Sequence, residues 1–150
     1  MDALPSGLPE RVADEEPLAR FLTSSSQFNS SSVKPGAFIP QAGSVRVSVY
    51  RHGSMPDGAL WELAARHIES GGRRVHGVAI ASASVVRAAH VSTSVDGSAL
   101  PALDVEADDT PPMHANIVGW ARADEDAVEP KAANKALAMA IATRAELIRR

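Results

Sequence analysis

Residues 45–51 place the strongest constraint on the fold. Val45, Val47 and Val49 alternate with Arg46, Ser48 and Tyr50, and Arg51-His52-Gly53 follows. Side chains along a strand point alternately to its two faces, so this run is a strand with one apolar and one polar side. Around it the remaining elements fall in the order strand, helix, two or three strands, helix. That order predicts an α+β domain: a small, mostly antiparallel sheet with helices packed on one face.

Punctuation residues place the neighbouring elements. Residues 1–16 are polar, interrupted by Pro5, Gly7 and Pro9 and closed by Asp14, Glu15 and Glu16. They read as a flexible N-terminal tail, leaving 17–150 as a single domain. Leu18, Phe21 and Leu22 after Pro17 have helical spacing and predict a helix of two turns at most. Thr23–Ser32 is a serine-rich, low-complexity stretch read as a solvated linker or as a loop whose hydroxyls bind an oxyanion. Residues 33–40 read as an extended segment confined to a sheet edge by Pro35 and Pro40.

Ser54 opens a helix that buries Leu60, Leu63 and Ala64 with His67 or Ile68, and Gly71-Gly72 stops it. Val75–Ala81 is a second strand, in which Gly77 marks a bulge or a close backbone approach. Ser82 or Ser84 caps a short helix through Val85, Val86 and Ala89, unless 84–95 is extended throughout. Residues 90–95 alternate as a third strand, turned by Asp96-Gly97. Residues 98–113 read as a Pro-containing acidic loop and Ala115–Trp120 as a fourth strand. From Lys131 to the end the chain is alanine-rich, with Leu137, Ala140, Ile141, Ala145 and Ile148 on one stripe of a helix.

Composition removes several classes of function. With no cysteine there is no disulfide, thiolate nucleophile or cysteine–zinc site. Aromatic residues make up 4%, so Val, Ala, Leu and Ile must build the core. No apolar run approaches the roughly 18 residues that cross a bilayer, and no signal peptide is visible, so the expected compartment is the cytoplasm. The net charge of −3 gives no whole-molecule attraction to nucleic acid. The phosphate-loop, dinucleotide-binding, nucleophile-elbow and H-E-x-x-H motifs are all missing.

The densest polar chemistry lies in 108–120, where an acidic Pro-Pro stretch leads through His114 and Asn116 to Trp120. His114 and His52 can act as acid and base on a phosphoester, with Arg51 or Arg46 stabilising the developing charge. Asp104, Glu106, Asp108, Asp109 and His114 are carboxylates and an imidazole, but their spacing fits no calcium loop, and no metal or cofactor is predicted. Arg46, Arg51, Arg73 and Arg74 form a candidate basic edge, although Arg46 and Arg51 fall on opposite faces of a regular strand. Tyr50 is the one stacking residue near it. Trp61 and Trp120 are candidate anchors for a partner. His67, His76 and His90 read as structural.

The expected function is a small accessory or binding domain. Its partner would be a protein or a second copy of itself, or a nucleic acid held through the arginine patch. The alternative is a metal-free enzyme that cleaves a phosphodiester or nucleotide, centred on His114 with His52 and an arginine.

Overall fold

In the computed structural model, which describes residues 4–51, 55–90, 102–122 and 128–150, the chain forms the expected α+β domain. Its strands are β1 (Pro17–Leu22), β2 (Val47–Arg51), β3 (Gly77–Ser82), β4 (Asp104–Ala107), β5 (His114–Val118) and β6 (Glu146–Arg149). They form one sheet in the order β4-β5-β2-β1-β3-β6, and every pairing is antiparallel. The helices among the described residues are α1 (Asp57–His67), α2 (Ala83–Ala88) and α3 (Val128–Arg144).

β1 lies near the centre of the sheet, which explains why its spacing imitates a helix. Leu18 and Leu22 face one side and join a core with Leu137 and Ile141 of α3 and Val86 of α2. Ala19 and Phe21 face the other side and pack with Leu60 and Ala64 of α1. A strand buried on both faces shows no clean alternation, so the expected two-turn helix is replaced by this strand. Helices α2 and α3 cover the first face, but the helices do not all pack on one face as expected, because β1 buries apolar side chains on both. The second face carries α1 over Phe21, Tyr50 and Val78.

Three other segments depart from expectation. The C-terminal helix ends at Arg144, and Glu146–Arg149 becomes edge strand β6, pairing with β3 from Gly77↔Arg149 to Ile80↔Glu146. Leu147 and Ile148 continue the helical stripe in spacing, but pairing with β3 decides their conformation. The acidic segment 98–113 contains β4 within its described part. Residues 33–40 hold a 3-10 turn, Pro35–Ala37, whose Ala37 enters the core together with the following Phe38.

Residues 4–16, expected to be a flexible tail, lie against the sheet. Val12 is in the core, Glu16 pairs with Arg51 and Asp14 pairs with Arg87. The physical reason is Arg51, which is fully buried and needs this segment's carboxylate and carbonyls. The remaining expectations divide by position. Ser82 caps α2, accepting the Val85 N–H at 3.3 Å. Ser54 and most of the 90–95 strand lie outside the described residues. Among the described residues, no helix is long and apolar enough to cross a membrane.

Candidate functional site

The register of β2 against β5 brings two of the sequence's distinctive strings together. Tyr50 pairs with His114, and Ser48 with Asn116. All four side chains fall on the face that α1 covers only in part. The hairpin that joins β4 to β5 aims His114. The Asp108 and Asp109 N–H groups donate to the His114 carbonyl at 3.2 and 3.0 Å, and the His114 N–H donates to the Pro111 carbonyl at 3.0 Å. Asp109 and Met113 have φ of 54° and 74°, a left-handed backbone that needs local support in a non-glycine residue. The Asp109 carboxylate provides it, accepting the Met113 N–H and the Ser6 N–H at 2.9 Å each.

Asp108 ties the site together. Its Oδ1 lies 2.7 Å from His114 Nδ1, and its Oδ2 accepts the Asn116 amide at 2.9 Å. Burial pushes the Asp108 carboxyl up, but the bonds from the Thr110 N–H, His114 and Asn116 outweigh it and hold the group below its ordinary value. The contact at Nδ1 leaves Nε2 as the free nitrogen of the ring. The Tyr50 ring sits between two imidazoles. His114 meets it edge-on with centroids 5.3 Å apart, and His67 of α1 stacks on it at 6.1 Å and 17°. Burial and the Asp108 charge both raise the Tyr50 hydroxyl above its ordinary value.

Beside these rings the sheet opens. β1 and β2 pair only at Leu18↔Arg51 and Ala19↔Tyr50, whereas β1 and β3 pair along six positions. Arg20 occupies the gap. Its Nε donates to the Ala37 carbonyl at 2.8 Å and one terminal nitrogen donates to the Ser48 carbonyl at 3.0 Å. Burial lowers the Arg20 guanidinium from its ordinary value, and the nearby Arg73 charge lowers it further. Among the described residues Arg20 makes no ion pair with a carboxylate, so its charge is fixed in position and left uncompensated.

These groups wall a cavity of about 550 Å³, into which Arg20, Arg46, Arg73, His67, His114 and Tyr50 all project. Ser48, Asn116, Thr23 and Gln27 add neutral polar groups, and among the described residues no aspartate or glutamate lines it. The arrangement attracts and orients an anion. The described residues contain no group of three or more metal-ligating side chains that could hold an ion.

The structure thus brings together His114, Tyr50, Asn116 and Arg46 from the sequence-derived set. It separates Arg51, which points to the opposite face and spends its donors on Glu16 and on the Pro9 and Arg11 carbonyls. Trp120 is also apart: it is buried in the core, where its indole N–H donates to the Ile117 carbonyl at 3.0 Å. His52 lies outside the described residues. The serine tract closes on itself, with Asn29 Oδ1 accepting the Ser31 and Ser32 N–H groups, and only its flanking Thr23 and its Gln27 reach the cavity.

Sequence reasoning missed Arg20 and His67 as site residues, whereas Arg73 belongs to the basic edge expected from the sequence and does line the cavity. The partial signal was Arg20 itself, the one charged residue in the otherwise apolar run 18–22. No protein family, curated protein or solved structure matches the chain.

Proposed function

We propose that this chain is a binding domain for a phosphate-bearing ligand, held in the cavity between β1, β2, β5 and α1. The observation that carries the reading is the composition of the wall: among the described residues it holds three arginines and two histidines and no carboxylate. A folded protein normally neutralises a partly buried arginine such as Arg20 with its own acids, and the neighbouring Arg46 and Arg73 are exposed cations rather than acids. Here Arg20 and Arg73 repel one another, an arrangement that an anionic ligand would relieve. Planar guanidinium groups match phosphate oxygens in pairs, and Tyr50 and Asn116 supply neutral hydrogen-bonding groups.

Calorimetric titration with inorganic phosphate and pyrophosphate tests this. Binding should be saturable and lost in Arg73→Gln, whose exposed position makes the substitution harmless to the fold. Absence of saturable binding by the wild-type chain sinks the reading.

The Asp108–His114 contact of 2.7 Å favours a second reading, cleavage of a phosphoester. A carboxylate on Nδ1 orients an imidazole so that Nε2 can accept a proton from an attacking water. A chromogenic phosphodiester separates the two readings. Turnover that disappears in His114→Ala supports cleavage. A protein that binds phosphate without turnover is a binding domain.

A further inference from the structure

Arg73 and Arg74 are consecutive, yet they serve two cavities. Arg73 lines the cavity described above. Arg74 lines a second one, also about 550 Å³, with Phe28, His76, Arg149 and Arg150. Strand register explains the adjacency. Leu22 ends β1 beside Gly77 at the start of β3, and Gly77 pairs with Arg149 at the end of β6. One end of the sheet therefore collects Arg20, Arg46, Arg73, Arg74, Arg149 and Arg150. Those are six of the chain's fifteen basic residues, in a protein whose net charge is −3.

Very little acid offsets them. Among the described residues Glu69 is the one carboxylate lining either cavity. It is already engaged, with Arg150 on one oxygen and the Val75 N–H on the other at 3.1 Å. Among the described residues Arg46, Arg73, Arg74 and Arg149 make no salt bridge. The outer cavity also presents rings. The Phe28 ring has the Arg149 guanidinium over it at 5.8 Å and His76 beside it at 6.1 Å. A guanidinium stacked on a ring keeps its N–H edge free for a phosphate.

Resting on the phosphate-binding reading of the inner cavity, we infer that the ligand is a linear chain of phosphates running from Arg20, Arg46 and Arg73 across to Arg74, Arg149 and Arg150. A single phosphate fills only one cavity. A chain places successive charges on both, and the linked contacts reinforce one another. Single-stranded nucleic acid and inorganic polyphosphate share this chemistry.

The test measures binding of a short fluorescein-labelled oligothymidylate by anisotropy across a salt series. Long-chain polyphosphate and an oligoglutamate of equal charge serve as competitors. The expected result is affinity about tenfold or more above that for inorganic phosphate. Arg74→Gln and Arg149→Gln should each lower the slope of log affinity against log salt by about 0.7, while inorganic phosphate binding stays as in the wild type. Competition by polyphosphate with weak direct binding of the oligothymidylate assigns the inorganic chain, and the reverse assigns nucleic acid; both support the inference.

The inference is overturned if inorganic phosphate binds but the longer chains bind no tighter. It is equally overturned if the two outer substitutions leave the salt slope unchanged, or if oligoglutamate competes as well as polyphosphate. Failure of inorganic phosphate itself to bind overturns the inner-cavity reading instead, and the inference falls with it.

Discussion

Glu16 presents both carboxylate oxygens to Arg51, one to Nε and one to a terminal nitrogen, each at 2.8 Å. Arg51 has no exposed surface, and its other donors reach the Pro9 and Arg11 carbonyls. A two-pronged, buried pair of this kind fixes the approach of the N-terminal segment to the sheet. Removing Glu16, which is itself partly exposed, leaves Arg51 charged and fully buried. Glu16→Ala should therefore cost about 3–5 kcal/mol, read as a lower urea midpoint with an unchanged slope. The double change Arg51→Met with Glu16→Leu should recover most of that loss, because no isolated charge remains.

The same carboxylate makes stability depend on pH. Burial pushes Glu16 up, but the bonds from Arg51 and the Ala13 N–H outweigh it and hold the group below its ordinary value of 4.5. Asp108 and Asp109 are likewise held below 3.8. A carboxyl lowered in the folded state binds protons more weakly there than in the unfolded chain. Its contribution is complete above the ordinary value and is lost as pH falls through the lowered one. Melting temperature should thus be level from neutral pH down to about 5 and fall steeply below about 4.5. Glu16→Gln should start lower and fall less steeply over the acid range.

Gly119 and Gly77 are both fixed by neighbouring backbone, to different degrees. At Gly119 φ is 96°, and a Cβ would sit 2.1 Å from the Ala102 carbonyl oxygen. Both the conformation and the space exclude a side chain, so Gly119→Ala should cost about 3 kcal/mol or more. At Gly77 the Cβ would meet the Ile148 carbonyl oxygen at 2.8 Å, which is the close approach expected from a glycine within a strand. Because β6 is an edge strand that can shift, Gly77→Ala should cost less, about 1–2 kcal/mol. Its effect should appear as faster amide exchange in β6 than in β1.

These contrasts indicate which parts of the molecule were legible in the sequence. β2 was, because its alternation is local, and so was the start of α2, because a serine cap acts within three residues. The β1 conformation was not, since burial on both faces erases the period that marks a strand. Nor was β6, since pairing with β3 decides its conformation and its own residues fit a helix equally well. The site divides in the same way. His114, Asn116 and Asp108 are close in sequence and stood out as a cluster of polar groups. Arg20 gains its role from carbonyls 17 and 28 residues away, at Ala37 and Ser48, which no local pattern announces.

The inner cavity should show a trade of stability against binding at Arg73. Burial and the Arg73 charge both lower the Arg20 guanidinium, so without a ligand the two cations work against the fold. Arg73 is exposed, and Arg73→Gln should leave the ligand-free protein within about 0.5 kcal/mol of wild type, shifted toward greater stability. Adding phosphate reverses the order. A ligand that binds only the folded state stabilises it by about 2.7 kcal/mol at one hundred times its dissociation constant. For a chain of this length that raises the melting temperature by roughly 5–11 °C. Wild type should show that rise and Arg73→Gln should not, so the two melting curves cross over as phosphate is added. Parallel curves at every phosphate concentration would mean that Arg73 is neither a source of repulsion nor a ligand-binding residue.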